Sequence, residues 1–263
     1  MRLKGQVALV TGGGTGIGRG FSLAFAREGG QVAVNYSKSR EKAEDTVRQI
    51  TAAGGRAIAL QGDVSREADA SRLVESVVKE WGRLDILVNN AGWTRRTPHA
   101  NLEALTDEIW QRTFAVNVFG AWYCIKHAIP QMQRQGRGVI INVNSVAAFH
   151  GKGSSMAYAA SKAALTSLTR SLARAFGPTI RVNNLAPGLV ETDFVDWPPG
   201  EYEAGRREIS TPELPTVEDL GEAALFLAAE ARATTGTTLF VDGGIVPLGP
   251  RGNRPSLQPP PAR

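Results

Sequence analysis

The chain has 263 residues, 42% of them hydrophobic, which is enough for one sizeable α/β core. Its net charge of +5 includes Arg251, Arg254 and Arg263 in an acid-free tail; the +2 left without them is spread among charges of both signs, which argues against a nucleic-acid partner. One cysteine, Cys124, excludes an internal disulfide and fits a cytoplasmic location, no run approaches the roughly 18 apolar residues of a membrane span, and three scattered histidines without a Cys/His cluster suggest no metal.

The opening apolar run is too short for a secretion signal before glycines interrupt it. Gln6–Thr11 instead reads as a buried strand. It runs into Gly12-Gly-Gly-Thr-Gly-Ile-Gly18 and then a helical pattern reaching Gly29-Gly30. Strand, glycine turn and helix form the context in which such a turn binds a dinucleotide. Gly12 permits the tight turn. Gly16 and Gly18 let a pyrophosphate approach the backbone and the helix pack close to the strand. Thr15 and Ile17 complete the loop, and the helix N-terminus receives the phosphates. The spacing is T-G-x-x-x-G-x-G, not the common G-x-G-x-x-G.

Gln31–Tyr36 is the second predicted strand. An acid near its end would bind a ribose 2′-hydroxyl and favour NAD. This chain has Asn35-Tyr36-Ser37-Lys38-Ser39-Arg40 there. Hydroxyls and cations attract a 2′-phosphate, so the segment points to NADP(H), with NAD(H) as the alternative if it only faces solvent. A helix over Glu41–Ala53 and a strand over Arg56–Gln61 follow. Asp63 and Val64 stand at that strand's carboxyl end, where Asp63 either meets an adenine amino group or caps the next turn. Ser65–Trp81 is predicted helical, and Leu84–Asn90 is a fourth strand leading into Ala91 and Gly92.

Leu105–Pro130 carries a long helical pattern with Asn117 inside it. Gly138–Val143 is a fifth, buried strand. It is followed by Ser145 and then Tyr158-Ala-Ala-Ser-Lys162, which opens a helix. Tyr158 and Lys162 are one helical turn apart on one face. A free phenol has a pKa of about 10, and a nearby ammonium lowers it, so the two can form a general acid-base pair with the Ser145 hydroxyl beside them. Ile180–Ala186 is a sixth strand, ending at Pro187 and Gly188. Residues 189–215 show no firm periodicity and read as a long functional loop. A helix over Val217–Ala229 and a strand over Thr237–Gly243 close the folded part. The domain is drawn over residues 1–246, and residues 247–263, with six prolines, read as a disordered tail.

The repeated β-α pattern with apolar strands implies one doubly wound parallel sheet with helices on both faces, a Rossmann-type α/β fold. The glycine loop, Asp63, Asn90, Ser145 and Pro187-Gly188 all follow strands at their carboxyl ends, where ligands bind in such sheets.

With these residues in place, the chain resembles the short-chain dehydrogenase/reductase family from Leu3 to about Gly244. The resemblance rests on Thr11–Gly18, Asp63-Val64, Asn89–Gly92, Asn117, Ser145, Tyr158–Lys162, Pro187-Gly188 and Val241–Gly244. It implies hydride transfer between a nicotinamide and a carbonyl or secondary alcohol. Tyr158 would donate the proton, Lys162 would lower its pKa and bind the nicotinamide ribose, and Ser145 would hold the substrate oxygen. Asn117 would hold a water connecting Lys162 to solvent. Asp63 and Val64 would contact adenine, Asn90, Ala91 and Gly92 would line the cofactor, and Pro187, Gly188, Val190 and Thr192 would lie on its nicotinamide side. The family also implies a homotetramer built through the helices holding Asn117 and Tyr158. A 3-oxoacyl thioester is the leading substrate expectation, with Arg95-Arg96 placed to meet an acidic carrier protein. Sugars, polyols, steroids and small ketones are alternatives. A non-catalytic nucleotide-binding regulator is the alternative of another class, and an intact Ser145, Tyr158 and Lys162 argues against it.

Overall fold

The computed structural model describes residues 1–250; the remainder of the predicted tail, 251–263, lies outside the described residues. Seven parallel strands form one sheet in the order β3-β2-β1-β4-β5-β6-β7. They are β1 (Val7–Val10), β2 (Gln31–Tyr36), β3 (Arg56–Gln61), β4 (Ile86–Asn89), β5 (Gly138–Val143), β6 (Ile180–Pro187) and β7 (Thr238–Val241). The order reverses between β1 and β4, which opens a crevice at the carboxyl ends of those strands.

Side-chain alternation divides the core into two layers. Ala8 and Val10 of β1, Val88 of β4 and Ile141 of β5 face one side, against Phe21 and Phe25 of α1 (Gly16–Arg27) and Leu220 and Leu225 of α9 (Val217–Leu225). Val7, Leu9, Leu87 and Ile140 face the other, against Leu73 of α3 (Glu67–Trp81) and Ile125 and Met132 of α5 (Ala121–Arg134). Parallel strands covered on both faces are continuously apolar, and β5 is buried at every position.

Four elements differ from the sequence expectation, one of them the helix predicted over Val217–Ala229, which turns π-helical over Phe226–Glu230. The long helix predicted over Leu105–Pro130 is divided into α4 (Asp107–Phe114), a π-helical stretch Ala115–Gly120 that holds Asn117, and α5. Helix α5 also continues past Pro130 to Arg134, because Pro130 lies on the exposed side, where water can satisfy the carbonyl its ring leaves unpaired. Third, the loop predicted over residues 189–215 contains α8 (Glu201–Glu208). No residue of α8 is buried, so it has no apolar stripe for periodicity to detect. Its acids in the first turn and Arg206 and Arg207 in the last are the signal that marks it. Fourth, Pro247 and Leu248, assigned to the tail, belong to a helical turn, α10 (Ile245–Leu248).

Candidate active site

A cavity of about 1170 Å³ runs along the carboxyl ends of the strands. Among the predicted cofactor residues, Gly12, Thr15, Gly16, Ile17, Gly18, Tyr36, Ser37, Lys38, Asp63, Val64, Asn90, Ala91, Gly92, Pro187, Gly188, Val190 and Thr192 all line it. So do Ser145, Tyr158 and Lys162. Asn117 does not.

The glycine turn is held by asparagines from neighbouring strands. Gly12 has φ +61°, a left-handed conformation that favours glycine. Its N–H donates to Asn35 Oδ1 at 3.2 Å, and Asn35 Nδ2 donates to the carbonyls of Leu60 (3.2 Å) and Gly62 (3.0 Å). Asn35 thus ties β1, β2 and β3 together, a role the sequence reading did not assign to it. Asn90 Nδ2 donates to the Thr11 and Gly12 carbonyls at 2.9 and 3.1 Å. A Cβ at Gly18 would sit 2.2 Å from the Gly12 carbonyl oxygen, so this glycine lets α1 close on the turn. At Gly16 a Cβ would meet the Thr192 side chain at 3.6 Å, ordinary contact distance, so its need for glycine is the positive φ of +48°. A dinucleotide fits this cradle: a glycine-rich turn opens onto a cavity of about 1170 Å³ that continues to Tyr158. Gly12 to Gly18 and Asn90 would hold its phosphates, and Tyr36, Ser37 and Lys38 its adenosine ribose.

Asp63 takes the capping role and also lines the cavity. One carboxylate oxygen accepts from Ser65 N (3.0 Å) and Ser65 Oγ (2.7 Å), closing the turn into α3. Arg40 departs from expectation. Its Nε donates to Glu44 at 2.7 Å on the outer face of α2 (Arg40–Ala52), and it does not line the cavity. Lys42, which the sequence reading passed over, does.

The catalytic residues rest on buried hydrogen bonds. Asn144 is buried; its Oδ1 accepts from Ser145 N and its Nδ2 donates to Thr166 Oγ1, each at 2.8 Å. Thr166 Oγ1 in turn donates to the Lys162 carbonyl at 3.2 Å. Residue 144 therefore ties the strand carrying Ser145 to α7 (Met156–Phe176), the helix carrying Tyr158 and Lys162. Ser155 caps that helix by accepting from Tyr158 N at 3.2 Å. Ser145 Oγ accepts from Ala147 N at 3.1 Å, which leaves its own proton free to donate.

At Tyr158 burial outweighs the acidifying influence expected of Lys162. The Lys162 ammonium donates to the Val143 carbonyl at 2.7 Å and lies 5.6 Å from the centre of the Tyr158 ring. Burial pushes the Tyr158 phenol up to about 12, against a smaller opposing effect of the Ser145 hydroxyl. Burial also brings Lys162 down to about 8. The Asn117 side chain is bonded within the protein. Its Oδ1 accepts from Trp93 N (2.7 Å), and its Nδ2 donates to Trp93 O and Ser161 Oγ (3.0 Å each). It clamps the loop after β4 to α7.

Beyond Tyr158 the cavity is walled by groups that sequence reasoning missed. Phe194 stands 6.1 Å from the Tyr158 ring, and the Arg112 guanidinium lies 4.5 Å over the Trp93 ring. His150, Lys152 and Glu208 also line this end. Trp93 itself stands in this wall. Arg95 and Arg96 are exposed, just beyond the lining residues Trp93 and Thr94.

Such a fold and site define an oxidoreductase that acts on CH–OH or carbonyl groups with NAD(P). Residues 12–246 match the family model described as enoyl-(acyl carrier protein) reductase. A Streptomyces violaceoruber protein named for ketoacyl reduction in granaticin polyketide synthesis is 44% identical over 92% of this chain and 96% of its own length. The 3-oxoacyl-[acyl-carrier-protein] reductase of Staphylococcus aureus is 39% identical over 90% and 97%. A short-chain dehydrogenase from Burkholderia cenocepacia, solved in complex with NADP, superposes with a TM-score of 0.86 at 36% identity, covering 92% of this chain and 98% of that one. The chain belongs to the short-chain dehydrogenase/reductase family.

Proposed function

We propose that this chain is an NADP(H)-preferring reductase of 3-oxoacyl thioesters, with Tyr158 as its general acid-base. The observation that carries it is one continuous cavity joining the glycine turn to Ser145, Tyr158 and Lys162. When bound, the nicotinamide supplies or accepts the hydride. The Tyr158 hydroxyl gives its proton to the carbonyl oxygen in reduction and recovers it in oxidation. With a pKa near 12 the phenol is fully protonated at neutral pH, the form that reduction needs. Ser145 donates its free proton to the same substrate oxygen. Lys162 keeps one N–H on the Val143 carbonyl and has two more for the cofactor ribose and the Tyr158 oxygen.

The NADP(H) preference is supported by Ser37 and Lys38 in the cavity wall where an acid would select NAD, and by the NADP bound to the Burkholderia relative. The thioester is supported by relatives named for ketoacyl and 3-oxoacyl-carrier-protein reduction, and by Arg95 and Arg96 exposed near the mouth. A sugar is the second reading. A Sphingomonas L-rhamnose 1-dehydrogenase using NAD(P)+ is 39% identical over 92% of this chain, and His150, Lys152 and Glu208 offer polar partners to hydroxyl groups. The proposed enzyme is cytoplasmic and homotetrameric. Phe119, Trp122 and Met156 are exposed on the helices that would form the contact, which light scattering tests directly.

The test is turnover on 3-oxoacyl thioesters, keto sugars and simple ketones with NADPH and NADH offered separately. Fast NADPH-dependent reduction of the thioester is expected. Faster oxidation of an aldose, or a preference for NADH, would overturn the corresponding part.

A further inference from the structure

Three cations stand near the carboxyl end of β2, and they differ in what holds them. Arg40 is paired with Glu44 and faces away. Lys38 lines the cavity and, among the described residues, has no carboxylate within salt-bridge distance. Lys42 also lines the cavity, and its Nζ lies 3.4 Å from Asp193 Oδ2. Asp193 belongs to a different wall. It follows Thr192, whose side chain faces Gly16, and precedes Phe194, which stands beside Tyr158 and reaches toward Gly92. The Lys42–Asp193 pair therefore bridges the cavity's edge, from the ribose side to the segment that covers the catalytic tyrosine. Lys42 and Asp193 also both line a smaller recess of about 460 Å³ on the outer side of the glycine turn. Both side chains are exposed, so the bond is weak and exchangeable.

We propose that Asp193 sets the cofactor selectivity of this enzyme by competing with the cofactor's 2′-phosphate for Lys42. This deepens, and rests on, the NADP(H) reading above. A phosphate dianion is a better partner for an ammonium than one exposed carboxylate. On its arrival Lys42 changes partners, and Asp193 and the Thr192–Phe194 segment lose their tie to α2. A ligand without the phosphate leaves the bridge in place. Asp193 is a positioning residue here; it acts through Lys42.

The test uses the full chain and two cofactor fragments, adenosine 2′,5′-bisphosphate and adenosine 5′-monophosphate, with affinities read by calorimetry. Wild type is expected to prefer the bisphosphate. Lys42→Met should weaken the bisphosphate about tenfold and leave the monophosphate unchanged. Asp193→Asn should tighten the bisphosphate by roughly two- to fivefold, the range of an exposed ion pair, without affecting the monophosphate. In the Lys42→Met background that gain should vanish. An Asp193→Asn affinity equal to wild type, or a gain that persists without Lys42, would overturn the proposal while leaving the NADP(H) reading intact. Equal wild-type affinity for both fragments would sink that reading, and the proposal with it.

Discussion

At the proposed catalytic end of the cavity, Ser145 hangs on buried Asn144 at 2.8 Å, and Lys162 hangs on the Val143 carbonyl at 2.7 Å, out of water. At the ribose end, Ser37, Lys38 and Lys42 are exposed, and the tie across the cavity is a 3.4 Å ion pair in solvent. The two ends are built to different tolerances. Buried hydrogen bonds are costly to leave unmade, so the catalytic geometry is rigid. Exposed ion pairs are worth little, so the selectivity end can exchange partners or drift in sequence without harming the fold. The proposed reaction chemistry lies where the sheet is tightest, and the proposed choice of ligand where it is loosest.

The contrast can be broken most severely at Tyr158. Tyr158→Phe removes the proton and should cut turnover by about 10²–10⁴-fold, while cofactor affinity stays within about twofold. Steady-state kinetics beside a cofactor titration would check both. Comparable loss of binding would mean that the phenol shapes the site as much as it reacts.

The buried lysine gives the next largest effect, through pH. Lys162 releases its proton near pH 8 when folded, against an ordinary value of 10.5. Between those values the unfolded chain binds more protons, so stability should climb as pH rises from about 8 toward 10, by up to about 3 kcal/mol. Tyr158 acts oppositely. Its pKa rises on folding from 10.0 to about 12, so its contribution is full below pH 10 and lost as pH rises toward 12. Denaturant melts of wild type and Lys162→Met across pH 7–10 would separate the two, with the variant flat where wild type climbs.

Asn144→Ala sharpens the comparison at the strand–helix joint. It leaves Ser145 N and Thr166 Oγ1 without their partner and should cost about 1–3 kcal/mol of stability, with a fall in kcat larger than any change in cofactor affinity. A serine hydroxyl can still accept from Ser145 N, so Asn144→Ser should recover part of the rate. The smallest effect belongs to Arg40→Ala. Its ion pair with Glu44 is exposed and turned from the cavity, so the melting temperature should stay unchanged and NADPH affinity should change by less than about twofold. A large loss of NADPH affinity would show that Arg40 leaves Glu44 for the cofactor.

Much of this was legible from residue order alone. Apolar runs of strand length, each followed by a helical pattern, specify a parallel sheet because that packing buries both faces of every strand. β2, β3 and β5 fall on the predicted residues for that reason. Glycines, amides and a Tyr-x-x-x-Lys at strand ends mark one edge of the sheet, since chain direction places every such end on the same side. Helix α8 was not legible, because it buries nothing and local charge alone supports it.

The protonation of the site was decided only by tertiary structure. From spacing, Lys162 should acidify Tyr158. In the fold the lysine donates to Val143, and burial moves both groups toward their neutral forms. The same holds for Asn117, whose side chain is bonded to Trp93 and Ser161, and for Lys42, whose partner lies 151 residues away on another wall of the cavity. Sequence determines which groups lie near one another along a helix or strand. Desolvation and the partners a side chain meets depend on residues distant in the chain, and only the packed fold brings those together.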